Sequence, residues 1–325
     1  MPAVLSVRGL TTVLHLAQGP VEVVRGVSFE VGQGETVALV GESGCGKSMT
    51  MLSVMGLHPQ PVAEITGGEV ILGGKDLVTA GEAYRRSVRG AEIAMVYQDP
   101  MTSLNPLMRI GAQIAEALTA HGVGRQQAAA RTREVLAEVG IPQPDRAARA
   151  YPHEFSGGMR QRVVIAMALA LRPALLIADE PTTALDVTIQ QQIIALVRRL
   201  QAETGTAVVW ITHDLGVVAR VASRLMVMYA GHLVETGPTR RVFYRPEHPY
   251  TAGLIAAIPP PRGAERPPLR QIPGTPPDPV HVPPGCPFNP RCPEAVDRCR
   301  AQMPPLTARS GSAAACWVPP EEWVA

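Results

Sequence analysis

The sequence lacks a strong excess of charge of either sign and lacks any long apolar run. Its 30 Lys and Arg side chains nearly balance 28 Asp and Glu, which gives a formal net charge of +2 and no electrostatic argument for a nucleic-acid binder. The longest uncharged apolar run, residues 163–171, is far shorter than the roughly 20 residues of a membrane span. The first residues show no basic segment followed by an apolar one, so we expect no secretory signal. We therefore expect an intracellular protein whose membrane role, if any, depends on a partner.

Lysine and cysteine are scarce, and both are unevenly placed. Among the 30 basic residues only Lys47 and Lys75 are lysines. Four of the five cysteines lie in the last 40 residues, and 18 of the 32 prolines lie in the last 67. Because 46% of the residues are hydrophobic and only 18% are charged, the chain can bury a sizeable core. We expect a main domain over residues 1–245 and a proline-rich extension over residues 246–325.

Short β-branched runs alternate with helical patterns in the main domain, which predicts an α/β fold with a mostly parallel sheet. The runs that predict strands are residues 4–7, 23–30, 36–40, 92–97, 174–178, 207–212 and 225–229. Apolar residues at helical spacing predict helices over residues 125–139 and 191–200. The stretch from about 99 to 172 has helical patterns and no clear strand, so we expect a helical subdomain there.

A phosphate-binding loop follows the predicted strand at residues 36–40. The sequence is G-E-S-G-C-G-K-S and runs directly into a helical pattern, as this motif requires. Backbone N–H groups and the helix N-terminus would cradle phosphate oxygens, Lys47 would reach the β- and γ-phosphates, and Ser48 would bind Mg²⁺. A chance glycine-rich turn is the bland alternative. The predicted ATP-binding residues here are Gly41, Ser43, Gly44, Cys45, Gly46, Lys47 and Ser48.

Two further motifs carry charge or anion-binding potential. An apolar strand pattern ends in Asp179 and Glu180, which could hold Mg²⁺ and polarise an attacking water as general base. In isolation such a pair would more often be two solvated acids. The run Ser156-Gly157-Gly158 opens a helical pattern, so it is either a serine N-cap or a second anion-binding device.

The ordered set of motifs resembles the ATPase subunit of ATP-binding cassette (ABC) transporters. It consists of the phosphate loop, Gln98, the Ser-Gly-Gly signature, Asp179-Glu180, Ala184-Leu185-Asp186 and His213. The resemblance implies a P-loop NTPase cassette with an antiparallel β edge and a helical subdomain. It also implies that Gln98 senses Mg²⁺ and the γ-phosphate, that His213 orients the attacking water, and that Asp179 helps to hold Mg²⁺. The signature residues Ser156, Gly157 and Gly158, together with Asp186, would complete the ATP site of a second subunit.

One element departs from this family. Its members usually stack an aromatic ring on adenine from the loop between the first strands, whereas residues 10–28 contain no Phe, Tyr or Trp. His15 is the only ring available there, so it is our candidate for contacting adenine, with an apolar contact or almost no stacking as the alternatives.

The stretches after Gln98 and around His248-Pro-Tyr-Thr resemble the dipeptide and oligopeptide branch of ABC importers, which also includes nickel and glutathione systems. This implies a second ATPase subunit in a heterodimer, two transmembrane permeases, an extracytoplasmic substrate-binding protein, and a location at the cytoplasmic face of the cell membrane. Dipeptides, oligopeptides, nickel and glutathione stay open as cargo. A soluble ABC ATPase of translation or DNA repair is disfavoured, because the chain has one cassette and only a short insert.

The late cysteines, Cys286, Cys292, Cys299 and Cys316, indicate a metal site rather than disulfides in an intracellular protein. Their spacing does not fit paired C-x₂-C zinc knuckles, and two are followed by proline, as at one ferredoxin cysteine. Family resemblance also favours a [4Fe–4S] cluster, with Zn²⁺ as the alternative. An iron–sulfur electron carrier that uses ATP is a second possible function, but only the four clustered cysteines support it. The extension has few residues able to form a core, so we expect the metal to supply much of its folding free energy.

Overall fold

A computed structural model describes residues 3–183, 185–258, 271–309 and 311–323. The predicted proline-rich stretch at residues 259–270 and Ala184 of the predicted Ala-Leu-Asp element lie outside the described residues. The chain forms two compact units. The first consists of residues 1–5, 31–35 and 79–210, and the second of residues 6–30, 36–78 and 211–325.

The strands alternate with helices through most of the chain. The strands are β1 (Ala3–Leu16), β2 (Gly19–Gly32), β3 (Thr36–Val40), β4 (Ala63–Leu72), β5 (Lys75–Asp76), β6 (Ile93–Val96), β7 (Leu175–Asp179), β8 (Ala207–Ile211), β9 (Arg224–Tyr229), β10 (His232–Pro238), β11 (Thr307–Arg309) and β12 (Ser312–Ala314). The helices are α1 (Lys47–Val54), α2 (Glu82–Val88), α3 (Pro100–Ser103), α4 (Ile110–Thr119), α5 (Arg125–Glu138), α6 (Pro144–Ala147), α7 (Gly157–Leu169), α8 (Val187–Thr204), α9 (Leu215–Val221), α10 (Thr239–Tyr244), α11 (Pro249–Ala256) and α12 (Asp297–Ala301). No helix of the described residues is long and apolar enough to cross a membrane.

The second unit contains parallel and antiparallel strand pairs. Strand β3 pairs with β9 in parallel, and β9 pairs with β10 antiparallel. Strand β12, from the C-terminal extension, adds to β10 antiparallel with Glu235 opposite Ala314, and β11 pairs with β12. A further sheet has the strand order β2-β1-β4-β5, in which β4 and β5 pair antiparallel. The extension therefore continues a sheet of the main domain.

The extension also contributes to the hydrophobic core of the second unit. Phe288 is 2% exposed and packs edge-on against Tyr229, with ring centroids 5.3 Å apart, and against Tyr250 at 5.4 Å. Cys286 and Cys299 belong to the same buried cluster. The few apolar side chains of the extension thus pack into a core that the main domain has already begun.

In the first unit, β6 pairs with β7 in parallel, and β8 lies beside β7. All five residues of β7 are buried, as expected for a strand covered on both faces. Between β6 and β7 the described residues form helices α3 to α7 and no strand, as the pattern from 99 to 172 predicts. The motifs at the ends of β7 and at the start of α7 are thus positioned by buried elements.

Candidate functional site: a phosphate loop and its associated motifs

The phosphate loop connects the fully buried strand β3 to helix α1. Gly41, Gly44 and Gly46 have φ angles of 155°, 78° and 102°, which side chains other than glycine rarely adopt. A Cβ atom at Gly46 would lie 2.5 Å from the Val23 carbonyl oxygen, and one at Gly41 would lie 2.2 Å from the Met228 carbonyl oxygen. The glycines are therefore required both by backbone conformation and by close packing of the loop.

The side chains of the loop divide into buried and exposed groups. Lys47 is 7% exposed, and its Nζ donates hydrogen bonds to the carbonyl oxygens of Gly41 at 2.8 Å and Glu42 at 3.0 Å. Ser43 and Ser48 are exposed, so their hydroxyls are accessible to a ligand. Cys45 is buried, and burial raises the pKa of its thiol. A buried, neutral Cys45 agrees with a packing role beside Lys47.

Gln98 and Glu180 meet in the first unit. Glu180 follows β7 directly and has a φ angle of 45°, an uncommon value for a residue with a side chain. The Gln98 Nε2 donates to Glu180 Oε2 at 3.0 Å, and the Thr183 hydroxyl donates to the same oxygen at 2.8 Å. Asp179, the last residue of β7, is 7% exposed. The sequence predicts Gln98 and Glu180 as site residues but gives no indication that Thr183 orients the carboxylate.

The signature serine and Asp186 are both helix caps. The Ser156 hydroxyl accepts from the Met159 N–H at 3.4 Å at the start of α7, and the Asp186 carboxylate accepts from the Ile189 N–H at 2.9 Å at the start of α8. Gly157 and Gly158 are the first two residues of α7. A Cβ atom at Gly158 would approach Ile189 Cγ2 to 2.7 Å, so glycine there allows α7 and α8 to pack. The start of α7 retains the anion-binding potential of a helix N-terminus.

The two candidate histidines lie in the second unit. His213 follows β8 and is exposed, and the next residue, Asp214, caps α9 by accepting from the N–H groups of Gly216 and Val217. His15 lies near the end of β1, where its Nε2 is 2.9 Å from Glu64 Oε2. The His15 ring is thus already engaged with a carboxylate, although about half of its side chain is exposed.

The four late cysteines lie in the second unit as free thiols, with Cys286 and Cys299 buried and Cys292 and Cys316 half-buried. Burial, with a smaller contribution from neighbouring cysteine thiols, raises the pKa of the Cys286 thiol to about 11 and that of Cys292 to about 12. However, the described part of the chain contains no group of three or more His, Cys, Asp or Glu side chains arranged to hold a metal ion. The four cysteines suit iron or zinc in kind and number, but their side chains are not drawn together as such a site requires.

Sequence reasoning missed the contact between the extension and the phosphate loop. Arg291, between two of the late cysteines, forms a two-pronged ion pair with Glu42, with N–O distances of 2.7 and 3.0 Å. The Tyr250 hydroxyl accepts a hydrogen bond from the Glu42 N–H at 2.9 Å. Arg291 lies in the cysteine segment, and Glu42 occupies a position of the loop motif that any residue can fill. Nothing in the sequence around either residue therefore predicts the pair.

A glycine-rich phosphate loop between a buried strand and a helix, together with a buried strand that ends in two carboxylates, is typical of P-loop nucleoside triphosphatases. Comparison with known proteins narrows this class. A family model for ABC transporters matches residues 24–183, and one for the C-terminal region of oligopeptide/dipeptide transporters matches residues 234–299.

The matching proteins include two from Bacillus subtilis. The dipeptide transport ATP-binding protein DppD is 50% identical over 98% of this chain and 95% of its own length. The oligopeptide transport ATP-binding protein OppD is 51% identical over 93% of this chain and 85% of its own length. A dimeric post-hydrolysis structure of the ATP-binding cassette MJ0796, bound to ADP and Pi, matches with a TM-score of 0.64 and 27% identity over 73% of this chain and 99% of that one. The chain belongs to the family of ABC transporter ATP-binding proteins.

Proposed function

We propose that this chain is the ATP-hydrolysing subunit that powers an importer of di- and oligopeptides. The observation that carries the proposal is the phosphate loop, with its three positive-φ glycines and buried Lys47, in a chain whose extension matches the C-terminal region of oligopeptide/dipeptide transporters. Two relatives that match over nearly the whole chain are named as dipeptide and oligopeptide transport ATP-binding proteins.

Each site residue has a proposed role in that function. Lys47 contacts the β- and γ-phosphates of ATP, while Ser48, Asp179 and Gln98 hold or sense Mg²⁺. Glu180 polarises the attacking water as general base. Support for this role comes from Gln98 and Thr183, because their hydrogen bonds converge on one carboxylate oxygen and orient the side chain.

We propose that the complete site forms between two ATPase subunits at the cytoplasmic face of the membrane. Ser156, Gly157 and Gly158 lie at a helix N-terminus and so suit the γ-phosphate held by the other subunit. Asp186 communicates across that interface, and His213 contacts the γ-phosphate. The second ATPase is a related subunit in a heterodimer. The pair drives two permeases, which receive their substrate from an extracytoplasmic binding protein.

Substrate uptake by cells tests the proposed cargo. In a strain that lacks this gene, we expect uptake of a labelled dipeptide or a labelled oligopeptide to fall to background and to return when the wild-type chain is supplied. The Lys47→Ala variant, produced at the same level, should fail to restore uptake because it lacks the phosphate ligand. Loss of nickel or glutathione uptake with unchanged peptide uptake would contradict the peptide assignment.

We propose further that Cys286, Cys292, Cys299 and Cys316 bind a [4Fe–4S] cluster after their side chains draw together. Support comes from the presence of four free thiols in one unit. Such a cluster would serve as a structural staple of the extension. Since four cysteine thiolates are the usual ligands of this cluster, the chain offers a complete set.

Metal analysis of anaerobically purified protein tests this proposal. We expect iron and acid-labile sulfide in equal amounts in the wild type, and loss of both in Cys292→Ser. The matched control is Cys45→Ser, which changes the one cysteine outside the extension and should retain both. Stoichiometric zinc without iron would show that the alternative ligand is correct.

A further inference from the structure

Glu42, the second residue of the phosphate loop, is held by the chain at three points. Its backbone N–H donates to the Tyr250 hydroxyl at 2.9 Å, and its carbonyl oxygen accepts from Lys47 Nζ at 3.0 Å. Its carboxylate accepts hydrogen bonds from both terminal nitrogens of the Arg291 guanidinium. Two of these three partners, Tyr250 and Arg291, lie in the extension, so the extension fixes a residue of the loop.

The Arg291 side chain is placed in a way that favours this single geometry. The residue is 8% exposed, and its Nε donates to the Pro273 carbonyl oxygen at 2.9 Å. Its guanidinium lies 5.9 Å from the ring centroids of both Tyr229 and Phe288. A planar guanidinium that is fixed along its length and paired through two parallel hydrogen bonds has little freedom to reorient.

The ion pair is largely shielded from water. The Arg291 side chain is 6% exposed and that of Glu42 is 25% exposed. In such an environment, removal of Arg291 leaves the partly buried Glu42 carboxylate without its partner, which is more costly than loss of a surface pair. A cleft beside the loop is lined by Glu42 and Ser43 and, from the extension, by Pro276 and Pro277, so the two segments adjoin at more than one point.

We propose that Arg291 is a positioning residue of the ATP site, which acts through Glu42 to hold the phosphate loop in its binding conformation. The carbonyl group of Glu42 binds the Lys47 ammonium, so a shift of Glu42 changes both the path of the loop backbone and the position of the phosphate ligand. The extension is then part of the nucleotide site and not only an appended module. This inference rests on the proposed binding of ATP by the same loop.

Calorimetric titration of the full chain with MgADP tests the proposal, because it separates affinity from the fraction of competent sites. For Arg291→Met we expect the dissociation constant to rise at least about tenfold, the factor that corresponds to about 1.4 kcal/mol, with an unchanged number of sites. Magnesium tripolyphosphate, which has no nucleoside, should lose affinity similarly, because the affected contacts are those of the phosphates. Arg291→Lys keeps the charge without the two-pronged geometry, so we expect an intermediate loss.

The matched control is Arg300→Met, which removes an exposed arginine from the same extension and breaks only a surface pair with Asp297. It should bind MgADP as the wild type does. Fewer binding sites at unchanged affinity in Arg291→Met and Arg291→Lys would overturn the proposal, since that result indicates a purely structural role. Failure of the wild type itself to bind MgADP would instead contradict the proposed function.

Discussion

Replacement of Glu180 by glutamine is expected to leave ATP binding within about threefold of the wild type and to lower steady-state ATP hydrolysis by at least about 100-fold, the lower end of what a general base contributes. Glutamine has nearly the same shape as glutamate but cannot accept a proton from water. Its amide can keep an acceptor oxygen for the Gln98 and Thr183 donors, so the local structure should persist.

The measurement is ATP turnover by the assembled transporter, alongside equilibrium ATP binding by the same preparation. Glu203→Gln is a suitable control, because Glu203 is an exposed residue of α8 that pairs only with the exposed Arg199 in the contacts described. Wild-type turnover in Glu180→Gln would show that another group acts as the base. Loss of binding together with turnover would mean that Glu180 is required for the shape of the site instead.

Thr183→Ala removes a hydrogen bond that orients the Glu180 carboxylate and keeps the carboxylate itself. The Thr183 hydroxyl donates to Glu180 Oε2 at 2.8 Å, so its removal leaves the base present but less constrained. The uncommon φ of 45° at Glu180 indicates that the turn after β7 aims this side chain, and Thr183 forms part of the same turn. The geometry thus explains why a carboxylate directly after a buried strand can have a fixed direction.

The most local parts of the site are those the sequence predicts best. The strand predicted over residues 36–40 agrees with β3, and the glycines predicted to curl the following loop do have positive φ angles. Both depend on information within about ten residues: a buried β-branched run and glycines at fixed spacing. The helix predicted over residues 191–200 is likewise present, but it is longer at both ends because Asp186 and Gly205 cap it.

Elements stabilised by distant partners are the ones the sequence does not reveal. Strand β4 carries two adjacent glycines, Gly67 and Gly68, which weaken its local strand pattern, and it is formed through pairing in the β2-β1-β4-β5 sheet. Strand β12 is a three-residue segment that exists because it adds to β10. The Arg291–Glu42 pair joins residues 249 positions apart, and neither residue type indicates its partner.

The arrangement of the four late cysteines could be predicted from the sequence only in part. Their number and clustering predict a shared site, and the four thiols do lie in one unit of the fold. Spacing along the chain does not determine how near the sulfurs come, because turns such as the 3₁₀ segment at Asn289–Arg291 set that distance. The same segment directs Arg291 toward Glu42, so part of what the cysteine-containing loop does is to position an arginine.

Substitution of Gly46 by alanine is expected to weaken MgADP binding by at least about 100-fold, equivalent to about 2.8 kcal/mol. The new Cβ would lie 2.5 Å from the Val23 carbonyl oxygen, a backbone atom that cannot move aside as a flexible side chain could. A φ of 102° adds conformational strain for any residue with a Cβ. Because Gly46 directly precedes α1, a shift there also displaces the N–H groups that meet the phosphates.

Two other glycines separate the causes of this loss. Gly44 lies in the same loop with a φ of 78°, but a Cβ there would meet nothing within 4 Å, so Gly44→Ala should have an intermediate effect from strain alone. Gly124 caps α5 with a φ of −60° and an open surrounding, so Gly124→Ala should bind MgADP as the wild type does. Equal losses in Gly46→Ala and Gly44→Ala would indicate that backbone strain, and not the contact with Val23, limits the loop. Wild-type affinity in Gly46→Ala would contradict the close packing of the loop against β2, on which the shape of the phosphate site depends.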